Sequence, residues 1–107
     1  MYDVVIIGAG ITGTMLCRKL SQYRLKIAVL DQANDIAEGA TMANSAVIHV
    51  GYDPEDGTNK AELNVKGALQ YEQLCKDLHC KHKVVGAYIA ACGAEEEAAL
   101  DVLAARA

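Results

Sequence analysis

Apolar and polar residues follow several different rhythms along this chain. Tyr2–Ile7, "YDVVII", is a nearly continuous apolar run ending in four β-branched residues. Such a run predicts a parallel strand buried on both faces. From Ile11 to Tyr23 the apolar side chains Met15, Leu16, Leu20 and Tyr23 recur at helical spacing, which predicts a helix. Leu25–Leu30, "LKIAVL", reads as a second buried strand. Strand, helix and strand within about 30 residues make a βαβ unit, whose crossover is right-handed.

Beyond it the pattern loosens. Asp31 to Asn59 is a loop rich in Ala, Gly, Asn, Ser and Asp, with one β-like run at Ala46–Val50. Its single proline, Pro54, lies in the turn "YDPEDGTN". Asn59 and Glu62 have the spacing of an N-cap and its reciprocal partner. A helix follows to about Leu78 and should bury Val65, Ala68, Cys75 and Leu78. "VVGAYIAAC", Val84–Cys92, reads as a strand. "AEEEAALDVLAARA" opens a last helix with three glutamates where the helix dipole favours them. No stop signal closes this helix, and no repeat or low-complexity tract interrupts the chain.

Length and charge narrow the classes. At 107 residues the chain is one small domain or a piece of a larger one. Apolar residues make up 52%, enough for a core, and the net charge is −4. With no Lys/Arg cluster, nucleic acid is not an expected partner. There is no basic segment ahead of the first apolar run to make a signal peptide, and no apolar stretch long enough to span a bilayer. Cys17, Cys75, Cys80 and Cys92 show no secreted-type framework. They read as reduced thiols of a cytoplasmic protein.

The chemistry is concentrated between the first strand and first helix, in "GAGITG". Gly8 suits a tight turn, Gly10 lets a diphosphate approach the backbone, and Gly13 lets the helix pack against the strand. The N-terminus of the helix then faces the phosphates. Asp31 closes the second strand at the fingerprint's distance of about 20 residues. Its carboxylate can accept hydrogen bonds from both ribose hydroxyls of an adenosine. An acid there disfavours a 2′-phosphate, so NADP fits least. The fingerprint alone leaves FAD and NAD open, and with NAD a non-catalytic sensor module.

The following segment discriminates. "NSAVIHVGYD" followed by "KAELNVKG" resembles FAD-dependent oxidoreductases of the D-amino-acid oxidase superfamily. The resemblance is to the branch containing glycerol-3-phosphate dehydrogenases and L-2-hydroxyglutarate oxidases, and it runs from Tyr2 to about Ala105. It implies an α/β fold in which a Rossmann-like FAD-binding βαβ unit opens a larger FAD/NAD(P)-binding fold. It implies FAD as cofactor, with Gly8, Ala9, Gly10, Ile11, Thr12 and Gly13 around the pyrophosphate. Asp31, with Gln32 beside it, would hold the ribose. Thr41, Asn44 and Ser45 would follow the phosphate and ribityl arm. Ala46, Val47 and the residues to His49 would pass beside the isoalloxazine ring. The implied reaction is oxidation of the secondary hydroxyl of a small anionic substrate, by hydride transfer to the flavin. sn-Glycerol 3-phosphate is the preferred substrate and L-2-hydroxyglutarate the close second. The electron acceptor is not implied.

Two positions depart from the family's pattern. Cys17 stands where Gly or Ala is usual, at little cost for a small, readily buried side chain. Arg24 stands where Gly is usual, at a helix end that often needs positive φ.

Other residues are weighed on their own chemistry. His49 is either the catalytic histidine beside the flavin, orienting the ring or polarising the hydroxyl, or a histidine held by backbone. Tyr52 and Asp53 read as a turn, and Glu95, Glu96 and Glu97 as helix-start charges. Cys75, His79, Cys80 and His82 fit no common zinc spacing, so no metal is expected.

The expected whole is therefore the N-terminal part of an FAD-binding domain, with the rest of that domain and the substrate-anchoring groups lying beyond Ala107. Strands that need cover on two faces predict that this segment alone binds FAD weakly and associates with itself.

Overall fold

A computed structural model describes residues 1–106. Five elements follow one another: β1 (Val4–Ile7), α1 (Ile11–Leu20), β2 (Ile27–Leu30), α2 (Asn59–Asp77) and α3 (Ala94–Arg106). They fall into two compact units that divide after Val47.

The first unit is the expected βαβ. β1 and β2 pair in parallel, with Val4 opposite Ile27 and Ile7 opposite Leu30. Asp3 closes the lower end: its N–H donates to the Lys26 carbonyl at 2.9 Å, and its carboxylate accepts the Lys26 N–H at 2.8 Å. Helix α1 packs on both strands. Ile6 and Ala9 form the buried centre. The expectation of strands buried on both faces is not met within this chain. Side chains alternate along a strand, and Val5 and Ile7, on the side of β1 opposite Ile6, are 52% and 88% exposed.

Helix α1 ends at Leu20, three residues short of the predicted Tyr23. Ser21 caps it in right-handed conformation, its N–H donating to the Cys17 carbonyl at 2.8 Å and its hydroxyl to the Arg18 carbonyl. The chain then turns through Tyr23, whose N–H reaches the Leu20 carbonyl. Arg24 is not among the described residues with positive φ. The expected left-handed cap there is absent, because Ser21 closes the helix first.

In the second unit the cap of α2 lies one residue before the predicted one. Thr58, extended at φ −90° and ψ 150°, accepts the Ala61 N–H on its hydroxyl at 3.2 Å. The true N-cap is therefore Thr58, and Asn59 lies inside the helix. Each of the exposed pairs Glu62–Lys66 and Glu72–Lys76 spans one turn of α2. Cys75 is the buried residue of this helix, whereas Val65 and Leu78, expected inside, are 42% and 50% exposed. Helix α3 starts after Gly93, with the Glu96 carboxylate accepting the Cys92 N–H at 2.7 Å. Leu100, Leu103 and Ala104 of this helix share a shallow apolar cleft with Tyr52, Ala87 and Ile89.

Two expected strands do not form. At Ala46–Val50 the Asn44 side chain accepts the Ala46 N–H at 2.7 Å, and Ala46 takes φ 56°. This local turn competes with extension. Val84–Cys92 is irregular, is broken by Gly86 at φ 72°, and has no strand beside it among the described residues. A strand without a partner leaves its backbone groups unpaired. Among the described residues no helix is long and apolar enough to cross a membrane.

Candidate functional site

The site is built where β1 gives way to α1. Pairing Ile7 with Leu30 places the next residues of the two strands, Gly8 and Asp31, side by side. The Gly8 N–H donates to the Leu30 carbonyl at 2.7 Å and extends the ladder by one rung. Gly8 then turns the chain at φ 102°, in the region where a Cβ is disfavoured. Gly13 answers a different demand. A Cβ there would lie 1.9 Å from the Gly8 carbonyl oxygen. The first turn of α1 therefore rests directly on the backbone of the preceding turn.

Asp31 is locked to this turn. One carboxylate oxygen accepts the Ala9 N–H at 2.5 Å, and the other accepts the Ala33 N–H at 2.9 Å. The Ala9 bond first, then that from Ala33, hold the Asp31 carboxyl below its usual range against the opposing effect of burial, with a lesser contribution from Gln32. Two oxygens offer about four acceptor positions, so the side chain, which remains exposed, keeps lone pairs for further donors.

The loop after β2 folds back over the helix start. The Thr41 hydroxyl accepts the Ile11 N–H at 2.9 Å and stands 3.1 Å from where a Cβ on Gly10 would be. The Ala37 N–H donates to the Ala9 carbonyl at 3.1 Å. A cleft of about 370 Å³ opens beside Asp31, lined by Ala9, Thr14, Cys17, Val29, Ala33, Asn34, Asp35 and Ile36.

The sequence-derived site residues thus divide. Gly8, Ala9, Gly10, Ile11, Thr12, Gly13, Asp31 and Thr41 gather at one turn, and Gln32 lies exposed beside it. Asn44, Ser45, Ala46 and Val47 lie in exposed coil at the far end of the first unit. His49 is exposed and belongs to the second unit. The roles of Ala33 and Ala37 were missed. Ala33 had a readable signal, since an Asp commonly bonds the backbone two residues on. Ala37, at φ 64°, had none.

A helix N-terminus opening on a glycine turn, with no acidic residue in its first turn, suits an anion. The space above Gly10 is filled by a hydroxyl rather than by a side chain fixed to the turn. The residues present therefore fit a dinucleotide diphosphate with an acid for its ribose, and they define the chain as a dinucleotide-binding βαβ protein. Residues 3–107 match the family model for FAD dependent oxidoreductases, and the chain belongs to that family, whose cofactor is FAD. A glycerol 3-phosphate dehydrogenase of Caloramator mitchellensis is 46% identical over 85% of this chain and 19% of its own length. A glycerol 3-phosphate oxidase of Mycoplasma genitalium is 36% identical over 97% of the chain and 27% of its own length. A mitochondrial L-2-hydroxyglutarate dehydrogenase of Arabidopsis thaliana is 33% identical over 94% and 21%, respectively. The chain spans about a fifth to a quarter of the length of these curated relatives.

Proposed function

We propose that this chain is the N-terminal, cofactor-gripping part of an FAD-dependent enzyme that oxidises the secondary hydroxyl of a small anionic substrate, sn-glycerol 3-phosphate first. The observation that carries it is the meeting of Gly8 and Asp31 at the paired ends of β1 and β2. FAD supplies a two-electron acceptor for the hydride of the substrate carbon. The residues of the chain supply grip. The first-turn amides of α1 take the diphosphate, with Thr41 exchanging its bond to Ile11 for it. Asp31 takes the ribose hydroxyls, and the adjoining cleft, lined by both apolar and polar side chains, suits the adenosine half. Asn44, Ser45, Ala46 and Val47 are proposed to follow the ribityl arm. His49 is proposed to polarise the substrate hydroxyl. The glycerol 3-phosphate reading rests on the 46% identical relative, and the 33% identical one supports L-2-hydroxyglutarate as the second reading.

The test uses the complete protein that carries this segment. Purified protein should be yellow, and anaerobic glycerol 3-phosphate should bleach the flavin faster than L-2-hydroxyglutarate does. Faster bleaching by L-2-hydroxyglutarate would select the second reading, and colourless protein that takes up no FAD would overturn both. His49→Ala should slow flavin reduction by about 10²–10⁴-fold while leaving FAD affinity nearly unchanged. Equal reduction rates would remove His49 from the chemistry.

A further inference from the structure

The cofactor site makes no use of the C-terminal end of α2, whose cap brings two cysteines together. Leu78 closes the helix and His79 follows in left-handed conformation at φ 53°. The His79 N–H returns to the Lys76 carbonyl at 3.2 Å, and the Cys80 N–H to the Cys75 carbonyl at 3.0 Å. These two bonds define a Schellman cap, which brings the side chain just past the helix against the one in its last turn. That pair is ordinarily a hydrophobic contact. Here both members are cysteines.

The two thiols are not equivalent. Cys75 is buried and Cys80 is exposed. The neighbouring Cys80 thiol first, and then burial, push the Cys75 thiol above its usual range. Solvent-borne reagents therefore reach Cys80 first, and Cys75 lies behind it across the cap. Exposure next to a resolving thiol is the arrangement found in redox-sensitive cysteines.

We propose that Cys75 and Cys80 are an oxidisable dithiol, converted to an intrachain disulfide by low-molecular-weight disulfides such as oxidised glutathione. The Cys80 thiolate attacks one sulfur of the reagent. The reagent's S–S bond breaks, and the leaving thiolate takes up the proton that Cys80 lost. Cys75 then attacks the Cys80 sulfur of the mixed disulfide, and a second small thiol leaves with the Cys75 proton. Two protein thiols are oxidised and one small disulfide is reduced to two thiols. The product staples the last turn of α2 to the residue beyond it, across a cap whose backbone bonds already hold the two residues together.

The experiment is performed on the complete protein, first reduced, then treated with oxidised glutathione, and alkylated before digestion. Wild type should yield a peptide containing Cys75 and Cys80 that is lighter by two hydrogens and resists alkylation until reduced. Cys75→Ala should instead accumulate glutathione on Cys80, several-fold above wild type. The combined variant Cys17→Ser, Cys92→Ser should keep the Cys75–Cys80 disulfide. Alkylation of both thiols after treatment of wild type would overturn the proposal. A disulfide from either cysteine to Cys92, or an adduct on Cys80 equal in wild type and Cys75→Ala, would do the same. The wild-type readout requires no substitution, so a variant that fails to fold leaves the decision intact.

Discussion

Asp31 shows how one residue can serve the fold and the site together. Its carboxylate ties the glycine turn to the end of β2 through the Ala9 N–H and steadies its own loop through the Ala33 N–H. These bonds favour the ionised form and lower its pKa on folding. The stability they contribute is therefore fully present above the unfolded-state value near pH 4. It is lost as pH falls through the lower folded-state value. Acid titration of the wild type should show stability falling below about pH 4, and Asp31→Asn should flatten that part of the profile. An unchanged profile in the variant would deny Asp31 this role. In the complete protein, Asp31→Ala should weaken FAD binding by about ten- to a hundredfold, the scale of hydrogen bonds to a charged group. Wild-type affinity in a flavin titration would remove it from the ribose. The acid and its place at the strand end were legible from spacing alone. Its bond to Ala9 was not, because that depends on the register between two strands that the chain brings together only on folding.

Among the elements, βαβ was the most legible, because continuous apolar runs and helical spacing arise from the same burial that forms the unit. Its tightest constraint is Gly13. A Cβ at 1.9 Å from the Gly8 oxygen faces backbone, which cannot rotate aside as a side chain can. Gly13→Ala should destabilise the unit by at least about 1–3 kcal/mol, the usual cost of overpacking, read as a lower urea midpoint with FAD uptake impaired. A midpoint equal to wild type would mean that α1 can move off the turn without loss. For α2 the pattern located the helix but misplaced its first residue. Thr58 and Asn59 are both good caps, and only the extended backbone at Thr58 selects between them. Thr58→Ala should cost about 1 kcal/mol, and Asn59→Ala much less. A larger loss for Asn59→Ala in thermal melts would reverse the assignment. Val84–Cys92 carries a strand's composition without a strand's partner, and composition alone supplies no hydrogen bonds.

At the scale of the whole molecule, the chain builds one covered strand face and leaves another bare. Ile7, Leu30, Val84, Val85 and Tyr88 are among the large apolar side chains left more than half exposed, and bare apolar surface with open strand edges drives association. Residues 1–107 expressed alone should self-associate, bind FAD weakly and show no detectable turnover of glycerol 3-phosphate. Sedimentation at several concentrations and a dye-coupled assay would check this, and a monodisperse, active chain would contradict it.

By itself the sequence determined the βαβ unit, the glycine turn, the acid at the second strand and the family, because each is written in local spacing along a short stretch. Tertiary structure alone decided that Thr41 reaches over Gly10 to the Ile11 amide and that Ala9 is held by Asp31. It likewise decided that the Cys80 N–H returns to the Cys75 carbonyl across a helix cap. Those contacts depend on where the folded backbone carries each side chain, and in particular on strand register, loop return and a single left-handed residue. None of these leaves a periodic trace in the order of residues.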